Sequence, residues 1–124
     1  MANEGLTIEK RGDGVAIVRM DIPGESMNTL KADFVDTFTS LFDEIENDAE
    51  IKAVVFTSGK KDSFIAGADI TMLESVSSAE EGEQTARAGH AVMNRVEAFP
   101  KPVVAAIHGV ALGGGLETAL ACHA

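Results

Sequence analysis

Between residues 30 and 47 the apolar positions recur at three- and four-residue steps. Phe34, Phe38, Leu41, Phe42 and Ile45 share one face, and Asp33, Asp36, Asp43, Glu44 and Glu46 fall largely off it. This spacing predicts an amphipathic helix from Leu30 to about Asn47, packed on a sheet, with Asn28 or Thr29 as its cap. A second long helix is predicted by the stripe Gly89, Val92, Met93, Val96 and Phe99. Ser78 followed by Glu81 gives its capping-box start, and Pro100 and Pro102 stop it. The remaining apolar runs are short and rich in β-branched residues. "LTIEKR" and "GVAIVRMD" flank Gly12-Asp13-Gly14 and read as an antiparallel hairpin. "KAVVFTS" and "VVAAI" (103–107) read as buried strands, the former parallel to its neighbours because a helix precedes it. A further helix is expected from Leu116. Strands alternate with helices, so the class is α/β.

Two loops, "KKDSFIAGAD" and "HGVALGGG", each follow a predicted central strand and lead into a helix. In open α/β sheets ligands usually sit at that end of the strands. Gly113, Gly114 and Gly115 surrender backbone entropy and pack nothing, so that stretch needs bare backbone for some purpose. A helix starting there leaves N–H groups without intrahelical partners, a place for developing negative charge. Glu117 falls in its first turn. Amide donors beside a carboxylate suit proton transfer at carbon next to a carbonyl. A tight turn followed by a dipole-complementing glutamate would give the same letters. In the other loop Gly67 permits a close approach, Ala68 keeps its side chain small, and Asp69 can cap a short helix from Ile70. An Ala68 N–H facing one from the glycine loop would make a two-point cradle for an enolate oxygen.

Composition narrows the field. The 124 residues suit one domain, and a formal net charge of -10 opposes generic binding to nucleic acid or anionic lipid. The single cysteine, Cys122, cannot form an intramolecular disulfide and reads as a small buried residue. His90, His108 and His123 form no ligand cluster, and no metal is expected; His108 reads as structural and His123 as a helix-end residue. Neither a Gly-x-Gly-x-x-Gly fingerprint nor a P-loop is present. Pro102 to Cys122 is long and apolar, but His108, the glycines and Glu117 argue against a membrane span. The first residues, "MANEGLTIEK", lack the basic start and apolar stretch of a signal peptide, so a reducing cytoplasmic setting is expected.

"FIAGADI" followed some forty residues later by "KPVVAAIHGVALGGGLE" resembles the crotonase superfamily, in particular its enoyl-CoA hydratases, from about Leu6 to Ala124. "DIPGESMNTL", "IAGADITML" and "AAIHGVALGGGLETALACH" are most similar to the N-terminal hydratase/isomerase region of multifunctional fatty-acid oxidation alpha subunits, of the bacterial anaerobic type and related to mitochondrial trifunctional protein alpha. The resemblance implies the ClpP/crotonase-like spiral of ββα units, N-terminal portion only. It implies that Ala68 and Gly114 are the backbone donors of an oxyanion hole, and that Glu117 is one of two catalytic glutamates adding water to a 2-enoyl-CoA. Met27, Asn28, Ile65, Ala66, Gly67, Asp69, Ile70, Thr71 and Gly113 match regions that line the CoA and acyl sites, with Thr71 where some relatives carry lysine. The second glutamate belongs to a Pro-Glu motif about twenty residues beyond Glu117, so residues 1–124 are expected to be a truncated hydratase/isomerase domain, impaired alone. The resemblance implies no cofactor on this stretch beyond the coenzyme A of the substrate; NAD belongs to dehydrogenase domains further along such subunits. A thiolase beta subunit is the implied partner of the full complex. Apolar faces meant for the missing half would invite self-association. The alternatives are 3,2-enoyl-CoA isomerisation through the same enolate, or a noncatalytic acyl-CoA-binding or assembly module.

Overall fold

The computed structural model describes residues 5–124. Its first strands, β1 (Leu6–Lys10) and β2 (Val15–Met20), form the expected antiparallel hairpin. The turn closes through the Arg11 N–H, which donates to the Val15 carbonyl at 2.8 Å, and Gly14 takes a positive φ of 90° that a side chain would resist. Along β2 every second residue, Ala16, Val18 and Met20, is buried. This period of two gives the sheet one apolar face. β3 (Ala53–Ser58) pairs parallel with β2, and β5 (Val103–Ala105) pairs parallel with β3, for a sheet in the order β1-β2-β3-β5.

Helix α1 (Phe34–Glu46) turns Phe34, Phe38, Leu41, Phe42 and Ile45 inward, the face its spacing predicts. Phe38 and Phe42 stack at 4.1 Å, and Phe42 meets Phe99 edge-on at 5.1 Å. Each fully buried ring contributes roughly 2–3 kcal/mol, so this cluster is a main support of the fold. Helix α3 (Ala79–Glu97) adds Val92 and Val96 to the core. Its cap is the one expected: the Glu81 N–H donates to Ser78 Oγ at 3.1 Å. The Glu81 carboxylate reaches back to the N–H of Ser77 at 2.9 Å, one residue short of a closed box, and that bond holds its pKa below the usual value.

The structure corrects three expectations. α1 begins at Phe34, not Leu30, and the N-cap residue Asp33 makes no side-chain capping bond. Residues 28–30 instead run extended beside the Ala68 loop, so neither Asn28 nor Thr29 caps a helix. Each of the two loops after β3 and β5 also contains a short strand: β4 (Ser63–Ile65) and β6 (Val110–Ala111) pair in parallel as a separate two-stranded sheet. Finally, α4 (Gly114–Ala121) starts two residues before Leu116, inside the glycine run. The short helix α2 (Ile70–Glu74) is capped by Asp69 as expected, with the Met72 N–H donating to its carboxylate at 3.0 Å. His123 lies past α4 and ties β5 to α3. Its Nδ1 accepts from the Val103 N–H at 2.9 Å, which leaves Nε2 to donate to the Glu97 carbonyl at 2.9 Å. Among the described residues no helix is long and apolar enough to cross a membrane.

Candidate functional site

The β4–β6 sheet joins the two loops. The Val110 N–H donates to the Asp62 carbonyl at 3.2 Å and the Leu112 N–H to the Ile65 carbonyl at 3.1 Å. Just beyond, the chains meet at their glycines. A Cβ on Gly67 would lie 3.5 Å from the Leu112 carbonyl oxygen and 4.0 Å from the Gly114 nitrogen. Gly67 also has a φ of 133°, which only glycine adopts readily.

The three glycines at 113–115 have separate tasks. Gly113 takes a φ of 51° at the N-cap of α4. A Cβ on Gly114 would stand 2.7 Å from Leu30 Cδ1. A Cβ on Gly115 would overlap the Ile65 carbonyl oxygen and lie 2.8 Å from its carbon. The last two absences let α4 lie directly on β4 and on the strap at residues 28–30.

That strap orients Ala68. Leu30 and Ala68 form a parallel bridge in which the Leu30 N–H donates to the Gly67 carbonyl at 2.8 Å and the Asp69 N–H to the Leu30 carbonyl at 3.0 Å. Successive amides of an extended segment point to opposite sides, so the Ala68 N–H is directed away from Leu30. Gly114 is the first helical residue of α4, where the N–H has no intrahelical acceptor. Among the described residues neither of these two N–H groups is bonded. Both residues line one cleft of about 740 Å³, and so does Glu117 from the first turn of α4. The cleft walls are mainly apolar, with Val35, Met72, Leu73, Val76 and Met93 among them. Of the residues singled out in the sequence, Ala68, Gly114 and Glu117 therefore converge.

Others do not join them. Asn28 and Ile65 are each 0% exposed and do not line the cleft. Asn28 is instead a buried junction. Its Oδ1 accepts from the Ile22 N–H at 3.0 Å, while Nδ2 faces the carbonyls of Met20 and Phe64 at 2.9 Å and Ser58 Oγ at 3.0 Å. Its own carbonyl accepts from the Ala66 N–H at 2.9 Å. Asn28 and Ile65 thus belong to the frame around this cleft. Met27 and Ile70 are exposed at 43% and 71%, Thr71 is exposed, and Asp69 is half-buried and occupied in capping α2.

The wall from α3 was not anticipated as part of a site. Gly82, Thr85 and Gly89 line the cleft at steps of three and four. That small-residue spacing was a readable signal for a helix face kept clear. His108 is tied to the Lys60 carbonyl at 2.6 Å and lies outside the cleft. Burial pushes the Cys122 thiol up to about 11, which suits a packing role.

The chain matches the enoyl-CoA hydratase/isomerase family over residues 10–124. It is 53% identical over 118 residues to the fatty acid oxidation complex subunit alpha of Shewanella oneidensis, and equally to that of Shewanella amazonensis. The match covers 95% of this chain and 17% of either relative. Among solved structures, an enoyl-CoA hydratase of Geobacillus kaustophilus superposes with a TM-score of 0.89 at 31% identity, over 98% of this chain and 45% of that one. An enoyl-CoA hydratase of Bacillus anthracis gives 0.87 at 27% identity, over 97% and 46%.

Proposed function

Because this chain belongs to the enoyl-CoA hydratase/isomerase family, we propose that its cleft takes the acyl part of a 2-enoyl-CoA and takes part in adding water across the double bond. The observation that carries the reading is the convergence of two acceptor-free amides and one carboxylate at a mainly apolar cleft. The thioester oxygen accepts hydrogen bonds from the Ala68 and Gly114 N–H groups. Water, held in part by Glu117, gives its oxygen to the β-carbon and a proton to a carboxylate; electron density moves to the thioester oxygen, and the α-carbon then takes a proton. The product is a 3-hydroxyacyl-CoA. Amide donors aimed at the developing oxyanion contribute on the order of a hundredfold each, and a positioned acid/base group roughly a hundredfold to ten-thousandfold.

Glu117 is, on this reading, one of two carboxylates, the second belonging to a Pro-Glu segment that these 124 residues do not contain. The wider setting is fatty-acid β-oxidation in the cytoplasm, with a thiolase subunit as partner and NAD used by dehydrogenase domains elsewhere in the assembly. The substrate brings its own coenzyme A.

The test follows loss of enoyl absorbance from crotonyl-CoA. It uses this chain and a version lengthened through the Pro-Glu segment of a Shewanella relative, each with and without Glu117→Gln. Hydration by the lengthened protein that falls at least about a hundredfold with Glu117→Gln, while crotonyl-CoA binding persists, is the expected result. Binding without hydration in every version would replace the enzyme with an acyl-CoA-binding module.

A further inference from the structure

Polarising one thioester oxygen with two amides requires the amides at a fixed separation, yet here they sit on loops that leave different strands. Leu30 is attached to both. Its backbone brackets Ala68 through the bonds to Gly67 and Asp69 at 2.8 and 3.0 Å. Its side chain lies against Gly114, with Cδ1 2.7 Å and Cγ 3.9 Å from where a Cβ on that glycine would stand. It also lines the cleft. The strap at residues 28–30 is itself anchored through Asn28, whose side chain is bonded to β2, β3 and β4.

We infer that Leu30 is a positioning residue whose side chain sets the spacing between the Ala68 and Gly114 amides. The inference rests on the enolate-stabilising reading above and adds to it the part that gauges the site. Leu30 neither titrates nor donates to the substrate oxygen through its side chain. It acts through the two amides. The glycine at 114 is the complement of this arrangement: its φ is not in the left-handed region, and what a Cβ there would meet is the Leu30 methyl, which would have to move aside.

Two readouts separate positioning from mere support of the fold, both in the lengthened protein. One is kcat against KM for crotonyl-CoA hydration. The other is the infrared stretching frequency of an isotope-labelled thioester carbonyl in bound crotonyl-CoA, which falls as the amides polarise it. Leu30→Ala keeps the backbone bracket and removes the methyls. It is expected to lower kcat about tenfold to hundredfold with KM within about threefold, the scale of an ångström-level misplacement. The carbonyl frequency should move back toward its value in water. Leu30→Met, similar in volume, should restore most of both. Gly114→Ala should lower kcat by displacing Leu30, and combining it with Leu30→Ala should return part of the loss. The inference is overturned if Leu30→Ala lowers only the melting temperature while kcat and carbonyl frequency stay as in the parent, or if the two substitutions multiply independently. A parent protein that binds crotonyl-CoA with no carbonyl shift overturns the enolate-stabilising reading, and the inference with it.

Discussion

Asn28→Ala removes the amide group that joins β2, β3 and β4, and the cost follows from which partners have a second bond. The Met20 carbonyl keeps the Gly59 N–H at 2.9 Å, and Ser58 Oγ keeps the Lys60 N–H at 2.9 Å. The Ile22 N–H and the Phe64 carbonyl lose the bond the side chain gave them. At about 1–3 kcal/mol for a buried group left unsatisfied, and less for the part-buried Ile22 N–H, the loss is about 1–4 kcal/mol. Domains of this size have only about 5–15 kcal/mol in total. Asn28→Asp sharpens the test because it conserves shape. One carboxylate oxygen can still accept from Ile22, but the other faces the Met20 and Phe64 carbonyls, where Asn28 placed N–H groups. Only a protonated carboxyl can donate there, so folding raises the pKa of this group above its unfolded value of about 3.9. The unfolded chain then ionises first, and the variant loses stability relative to the parent as pH rises from about 4 through the folded pKa. Urea titrations followed by circular dichroism give both numbers; the chain has no Trp or Tyr, so intrinsic fluorescence is of little use. A loss below about 1 kcal/mol for Asn28→Ala, or an Asn28→Asp deficit that does not grow with pH, would refute the junction argument.

Cys122, with its thiol pushed up to about 11 by burial, should react with iodoacetamide at pH 8 roughly tenfold to a hundredfold more slowly in the folded protein than in urea, as read by mass spectrometry. Gly115→Ala places a methyl into the backbone of Ile65, so α4 must retreat from β4. A loss of about 1–3 kcal/mol from overpacking in urea titration, accompanied by weaker carbonyl polarisation in bound crotonyl-CoA, is the expected result.

The parts of this fold that were legible in the sequence are those whose causes are local. The face of α1 follows from the spacing of five residues, the hairpin from Gly12-Asp13-Gly14, and the start of α3 from Ser78 and Glu81. β4 and β6 were not legible, because strands of three and two residues carry no period and exist only by pairing with each other. Asn28 shows the same limit at one residue. Beside a helical pattern its side chain reads as a cap, whereas its partners lie as far as 36 positions away. In the site, the glycines drew attention to Ala68, to the loop at 113–115 and to Glu117, and the family resemblance singled out Gly114 within that loop. Leu30 was not singled out, since nothing about a leucine at a supposed helix start announces contact with residues 68 and 114.

On the proposed reading the oxyanion donors are the main-chain amides of Ala68 and Gly114, with no side chain to delete and no proton to lose in the range where carboxylates and imidazoles titrate. Neither phosphorylation nor oxidation of a side chain at those positions, nor a drop in pH, can change what they are. They can be weakened only by being moved. Faults in this pair of donors are therefore mechanical in origin, arising in whatever holds the two loops, and the substitutions that matter most to them lie at positions that never touch the reacting atoms.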